Sequence, residues 1–155
     1  MPRPQAVLFT IGYAGATIGA FIDALKAAGV EELVDVRAVA SSRNRPFAKS
    51  ALAAALEGAG IAYRHLRPLG TPKAGRDAAK RGDVATLHQV YDGQLATPEA
   101  QDALAALRVL AAEKRIALMC MESDPAQCHR SIVANRLGAD VVVEHLHPRG
   151  DGPLS

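Results

Sequence analysis

The sequence predicts an α/β fold of three layers, with a mostly parallel sheet of about five strands and helices on both faces. Three observations predict it. Short apolar runs alternate with helix-patterned segments along the chain, and turn and capping residues separate them. A length of 155 residues, 49% of them apolar, suffices for one sizeable core and hardly for two. We therefore expect a single domain over residues 1–147 and a frayed C-terminal tail over 148–155.

Ala6 to Ile11 reads as a short apolar strand and Gly12 to Ala16 as a turn. Thr17 then caps a helix that carries Phe21, Ile22 and Leu25 and ends near Gly29. Glu32 to Val36 is a second strand, Ala48 to Glu57 a helix stopped near Gly58 and Gly60, and Ile61 to His65 a third strand. Residues 66–82, RPLGTPKAGRDAAKRGD, are rich in Gly, Pro and basic side chains and predict a long functional loop, a lid in one reading. Asp83 to Tyr91 and Pro98 to Ala112 read as helices, Ile116 to Cys120 as a fourth strand, Pro125 to Leu137 as a helix and Val141 to Glu144 as a last strand.

Charge is informative by its placement. The formal net charge is +2, but residues 37–81 carry ten Lys or Arg against Glu57 and Asp77, a local +8 that leaves −6 elsewhere. Such a field attracts phosphates or nucleic acid; a solvated basic loop is the plain alternative. Six residues are Phe or Tyr and none is Trp, which argues against a surface built to stack many bases. No apolar run approaches the roughly 20 residues of a membrane helix. The start, MPRPQAVLFTIGY, lacks the longer apolar segment and cleavage site of a signal peptide, so a cytoplasmic location and no membrane partner are expected. Two cysteines, Cys120 and Cys128, are too few for a disulfide framework.

In parallel sheets ligands gather outside the carboxyl ends of the strands. Here those ends deliver Gly12 and Tyr13, Asp35 and Arg37, His65, Cys120 and Glu122, and Glu144 and His145. The segment CMESDPAQCHR, residues 120–130, carries the strongest local signal. Asp124, Pro125 and Gln127 read as a helix cap, a first-turn proline and a capping-box partner. On that helix Arg130 falls about 40° from the centre of the apolar arc formed by Ala126, Val133 and Leu137. A guanidinium facing the sheet requires an anionic partner or ligand, with Asp35 and Glu122 as candidate partners and a purely structural pair as the bland outcome. Cys128 lies about 160° from Arg130, either a thiol activated by the first turn or a small packing residue. His129 is a proton carrier or a hydrogen-bonded structural imidazole. RAVASSRNRPF, residues 37–47, offers Arg37, Arg43 and Arg45 beside Ser41, Ser42 and Asn44, many donors suited to phosphate oxygens.

Other chemistries fit less well. Cys120, Cys128 and His129 lack the paired spacing of a zinc site, and no metal or other cofactor is expected. A thiol phosphatase loop starting at Cys120 would want Arg where Ala126 stands. The turn GYAGATIGA could bring backbone N–H groups to a phosphate, but Ala14 occupies the second glycine position of the dinucleotide fingerprint. Asp35, 23 residues after Gly12, mimics the ribose-binding acid only loosely.

TIGY with its following helix, VDVR, SRNRPF, YRHLRPLG and CMESDPAQCHR, in that order, resemble the domain-of-unknown-function 488 family from about Thr10 to Leu137. The resemblance implies a small bacterial α/β protein of unestablished activity, with Arg37, Glu122, Cys128, His129 and Arg130 at the family's motif positions. The chain differs from the family's habit at Ala14, at Thr71 and at Val39 to Ala40.

The resulting expectation is an enzyme acting on a phosphate-bearing nucleotide or nucleic acid. Arg37, Arg43 and Arg45 hold the anion, with Gly12, Tyr13 and His65 completing the binding set. Arg130 positions or neutralises developing charge, Asp35 or Glu122 serves as acid or base, and Cys128 and His129 are second-rank catalytic candidates. The alternative is a non-catalytic nucleic-acid-binding module using residues 37–81. A third reading pairs Cys120 with Cys128 in thiol redox chemistry. The sequence sets no oligomeric state.

Overall fold

The computed structural model describes residues 6–13, 16–37, 47–120 and 141–148. Five strands form one all-parallel sheet: β1 (Ala6–Gly12), β2 (Glu32–Asp35), β3 (Ala62–His65), β4 (Ile116–Cys120) and β5 (Val141–Leu146). Their order across the sheet is β3-β2-β4-β1-β5. Five helices accompany them among the described residues: α1 (Ile18–Ala27), α2 (Lys49–Gly58), α3 (Lys73–Lys80), α4 (Val84–Leu95) and α5 (Pro98–Glu113). The expected α/β sheet with two covered faces is therefore present. The helix expected over Pro125–Leu137, its cap Asp124 and residues 149–155 of the tail lie outside the described residues.

Strand alternation sorts the core into two layers. Phe9, Ile11, Leu33, Ala117 and Met119 point to one face, where Phe21 and Leu25 of α1 and Leu52 and Leu56 of α2 cover them. Leu8, Val34, Ile116 and Leu118 point to the other, against Leu104, Leu107 and Ala111 of α5. The crossovers β1–α1–β2 and β2–α2–β3 step across the sheet in one direction, so their helices share a face. The return from β3 to β4 runs the other way and puts α5 on the opposite face.

Local capping is as the residues dictate. The Thr17 side chain accepts from the Ala20 backbone N–H at 3.1 Å, and Thr97 does the same for Ala100 at 3.2 Å ahead of Pro98.

Residues 66–82 depart from the expected loop. They form a short 3-10 turn over Arg67–Leu69 and then α3, which packs along α4. Ala78 is fully buried, and a Cβ added at Gly75 would stand 2.6 Å from Thr71 Cγ2 and 3.3 Å from Val90 Cγ1. Gly75 is there for close helix approach, not for a turn. Gly82 ends the helix with φ of 76°, and the Asp83 side chain then caps α4 through the Thr86 N–H at 3.1 Å.

Candidate functional site

Parallel register brings the carboxyl ends together. Gly12 pairs with Cys120 on one side of β4, while Asp35 pairs with Met119 on the other and with His65 on β3. The Val36 N–H donates to the Met119 carbonyl at 3.2 Å, so β2 runs alongside β4 to its end. Cys120, where the segment 120–130 begins, thus sits between Gly12 of β1 and the start of the Asp35–Arg37 turn. Glu122, Cys128, His129 and Arg130, and likewise Arg43 and Arg45, lie outside the described residues.

The centre of the described site is a buried ion pair. Asp35 is fully buried and Arg37 is 6% exposed, and their charges meet at 2.7 Å. One carboxylate oxygen, Oδ1, accepts from the Arg37 backbone N–H at 3.0 Å and from Nε at 2.9 Å. The other, Oδ2, accepts from Nη2 at 2.7 Å, from Nε at 3.1 Å and from the Tyr63 hydroxyl at 2.5 Å. Burial alone would lower the guanidinium pKa, but the Asp35 carboxylate outweighs it and raises the value above its ordinary range. Burial and the hydrogen bond to Asp35 both raise the Tyr63 phenol well above the usual tyrosine value.

Arg37 also reaches Phe47. Its Nη1 donates to the Phe47 backbone carbonyl at 2.8 Å, tying residue 37 to residue 47 across the basic segment between them. Phe47 is fully buried; its ring stacks on Tyr13 at 4.5 Å between centroids and 11° between planes, and meets Phe21 edge-on at 5.1 Å. The Arg37 guanidinium carbon lies 5.4 Å from the Tyr13 ring centre, and Nη1 donates to the Tyr13 hydroxyl at 3.4 Å. Tyr13 after β1, Arg37 after β2 and Phe47 thereby meet at one point.

His65 is half-buried and its Nε2 donates to the Arg37 carbonyl at 2.6 Å. In the neutral ring that tautomer puts the lone pair on Nδ1, which can accept a proton. Elsewhere on the strand ends, buried Thr10 is hydrogen-bonded to His145 Nδ1. That pair lies on the α5 face, opposite the Asp35–Arg37 cluster.

Of the residues singled out by sequence, the structure joins Gly12, Tyr13, Asp35, Arg37 and His65 along one edge. Tyr63 and Phe47 were not singled out. Tyr63 stands two residues before His65 on the same strand face, a period-2 signal that could have pointed to it. Asp35, named as a partner for Arg130, has both oxygens engaged by Arg37 and Tyr63. No group of three or more potential metal-ligating side chains occurs among the described residues, and no helix among them is long and apolar enough to cross a membrane.

The family model described as Domain of unknown function DUF488 matches residues 17–137. No curated protein and no solved structure matches the chain.

Proposed function

The chain belongs to the family described as Domain of unknown function DUF488, and from that premise we propose that it is an enzyme acting on a phosphate-bearing nucleotide or nucleic acid at the carboxyl ends of its strands. The observation that carries this reading is the tie from Arg37 to the Phe47 carbonyl. It brings together residues 37 and 47, which flank the arginine-bearing segment in sequence, at the strand ends where β4 reaches Cys120.

The charges divide the work. Arg37 spends Nε, Nη1 and Nη2 on Asp35, Phe47 and Tyr13, so its part is to hold the segment and to lend positive potential. Arg43 and Arg45 carry the direct contact to phosphate oxygens. Both Asp35 oxygens are taken up by donors, which favours Glu122 as the acid or base and as the partner of Arg130. His65, through Nδ1, offers a further proton acceptor. Cys128 and His129 remain second-rank catalytic candidates.

The test measures binding and turnover of nucleotides and of labelled DNA and RNA by the wild type and by Glu122→Gln, Arg130→Ala and Arg43→Ala/Arg45→Ala. Lost turnover with retained thermal stability in the first two variants, and lost affinity in the third, supports the enzyme. Salt-sensitive binding without turnover, indifferent to Glu122→Gln, replaces it with a non-catalytic nucleic-acid-binding module. No binding of any phosphate-bearing probe by the wild type rejects both.

A further inference from the structure

A groove of about 500 Å³ opens between the 3-10 turn, the start of α3 and the α4–α5 junction. Its cationic lining is Arg67, Lys73 and Arg76, with Glu99 the one acid on the rim among the described residues. Its walls are firm. Gln94 Nε2 donates to the Pro68 carbonyl at 2.9 Å, Thr97 Oγ1 donates to the Gln94 carbonyl at 2.8 Å, and the Tyr91 hydroxyl donates to the Leu69 carbonyl at 2.5 Å. These polar side chains are spent on the scaffold, whereas none of the three cations donates a side-chain hydrogen bond among the described residues. Neither Arg67 nor Arg76 has a carboxylate within 4.0 Å among the described residues, and Lys73, 81% exposed, reaches Asp77 only at 4.0 Å. Lys73 is also the first residue of α3, whose cap residue Pro72 offers no side-chain hydrogen bond, so the helix start adds its own positive end to the groove.

A solubilising charge bias would scatter such cations over convex surface, and a structural role would pair them. Here three of them converge on one concavity with little to neutralise them. The groove begins at Arg67, two residues beyond His65, hence within about 7 Å along the chain of the imidazole that meets Arg37. The groove itself lies on the α5 side of the sheet, since Leu69 belongs to that core layer, while the Asp35–Arg37 cluster lies on the α1–α2 side. A single nucleotide at the strand ends would leave this second basic surface unused; a longer polyanion crossing the sheet edge would engage both.

We propose that the groove binds the phosphodiester backbone of a nucleic-acid strand. This rests on the phosphate-directed reading above and narrows its ligand to a strand longer than one nucleotide. No aromatic side chain lines the groove among the described residues, so the contact is to phosphate, without base stacking and indifferent to sequence.

The experiment measures anisotropy of a labelled, mixed-sequence single-stranded oligonucleotide across a salt series. The wild type is compared with the triple variant Arg67→Gln/Lys73→Gln/Arg76→Gln and with Lys26→Gln, which removes one exposed charge from the last turn of α1. Three lost phosphate contacts at about 0.7 each make the slope of log affinity against log salt shallower by about 2, and Lys26→Gln leaves it unchanged. If the triple variant fails to fold, Arg67→Gln/Lys73→Gln, both at exposed positions, carries the test with a change of about 1.4. A wild-type slope retained in the groove variant overturns the proposal. So does a wild type that binds no oligonucleotide at low salt. A labelled mononucleotide run alongside separates the two levels: if it binds while the groove arm fails, the strand-end reading stands alone, and if neither probe binds, both fall.

Discussion

Substituting Asp35 by Asn keeps the shape of the side chain but leaves Arg37 buried without a counter-charge among the described residues. The guanidinium is 6% exposed and gives three of its contacts, at 2.7, 2.9 and 3.1 Å, to the two oxygens of that carboxylate. The Tyr63 hydroxyl and the Arg37 backbone N–H lose a charged acceptor as well. Breaking a buried pair from one side costs about 3–5 kcal/mol. With a urea dependence of about 2 kcal/mol per molar, the unfolding midpoint falls by about 2 M; at about 2–4 °C per kcal/mol the melting temperature falls by about 10 °C. The assay is urea unfolding followed by far-UV circular dichroism, for the wild type, Asp35→Asn, Arg37→Met and the double variant. Removing both charges abolishes the orphan, so the double variant loses less than the sum of the singles, by about 2–3 kcal/mol. A loss below about 1 kcal/mol in Asp35→Asn, or additivity within about 0.5 kcal/mol, refutes the claim that this pair fastens the site.

Three further outcomes follow from the same geometry. Tyr63, held protonated by burial and by Asp35, contributes stability that is full below about pH 10 and is lost as pH rises through its raised folded value; Tyr63→Phe removes a late step from the alkaline absorbance titration, and an unchanged titration contradicts the assignment. Burial would raise buried Glu32, but Arg64 at 2.6 Å and Lys114 at 3.0 Å hold it below the usual carboxylate range, so its contribution is present above about pH 4.3 and is lost as pH falls through the folded value. Glu32→Gln therefore flattens the acid limb of a stability–pH curve while lowering neutral stability. Gly75→Ala gains helix propensity but drives a methyl into Thr71 Cγ2, a net loss of about 1–3 kcal/mol in chemical unfolding. Adding Thr71→Ser, which removes that methyl, restores most of it.

Elements governed by their own residues were legible in the chain itself. Thr17 caps its helix through a hydroxyl three residues from the N–H that it satisfies, and Ile116–Cys120 is an apolar run whose bounds need no neighbour to define them. The gathering of Tyr13, Asp35, Arg37 and His65 at one edge followed from strand–helix alternation, because parallel strands present their carboxyl ends on one side. Burial and partner choice were not legible. Gly75 and its flanking prolines and bases spelled a loop, since the reason for a glycine there is the approach of α4, a contact made across the fold. The pairing of Asp35 with Arg37 and Tyr63 depends on β3 lying beside β2 and on Phe47 stacking on Tyr13. The insertion of β4 between β2 and β1 is likewise beyond local pattern. Sequence determined the strands and, α3 apart, the helices among the described residues, and which way their ends point, because those properties arise from backbone sterics and side-chain periodicity within a few residues. Tertiary structure alone decided which charges among the described residues are spent on each other, because hydrogen-bond partners across a sheet are set by register and packing between residues far apart in the chain.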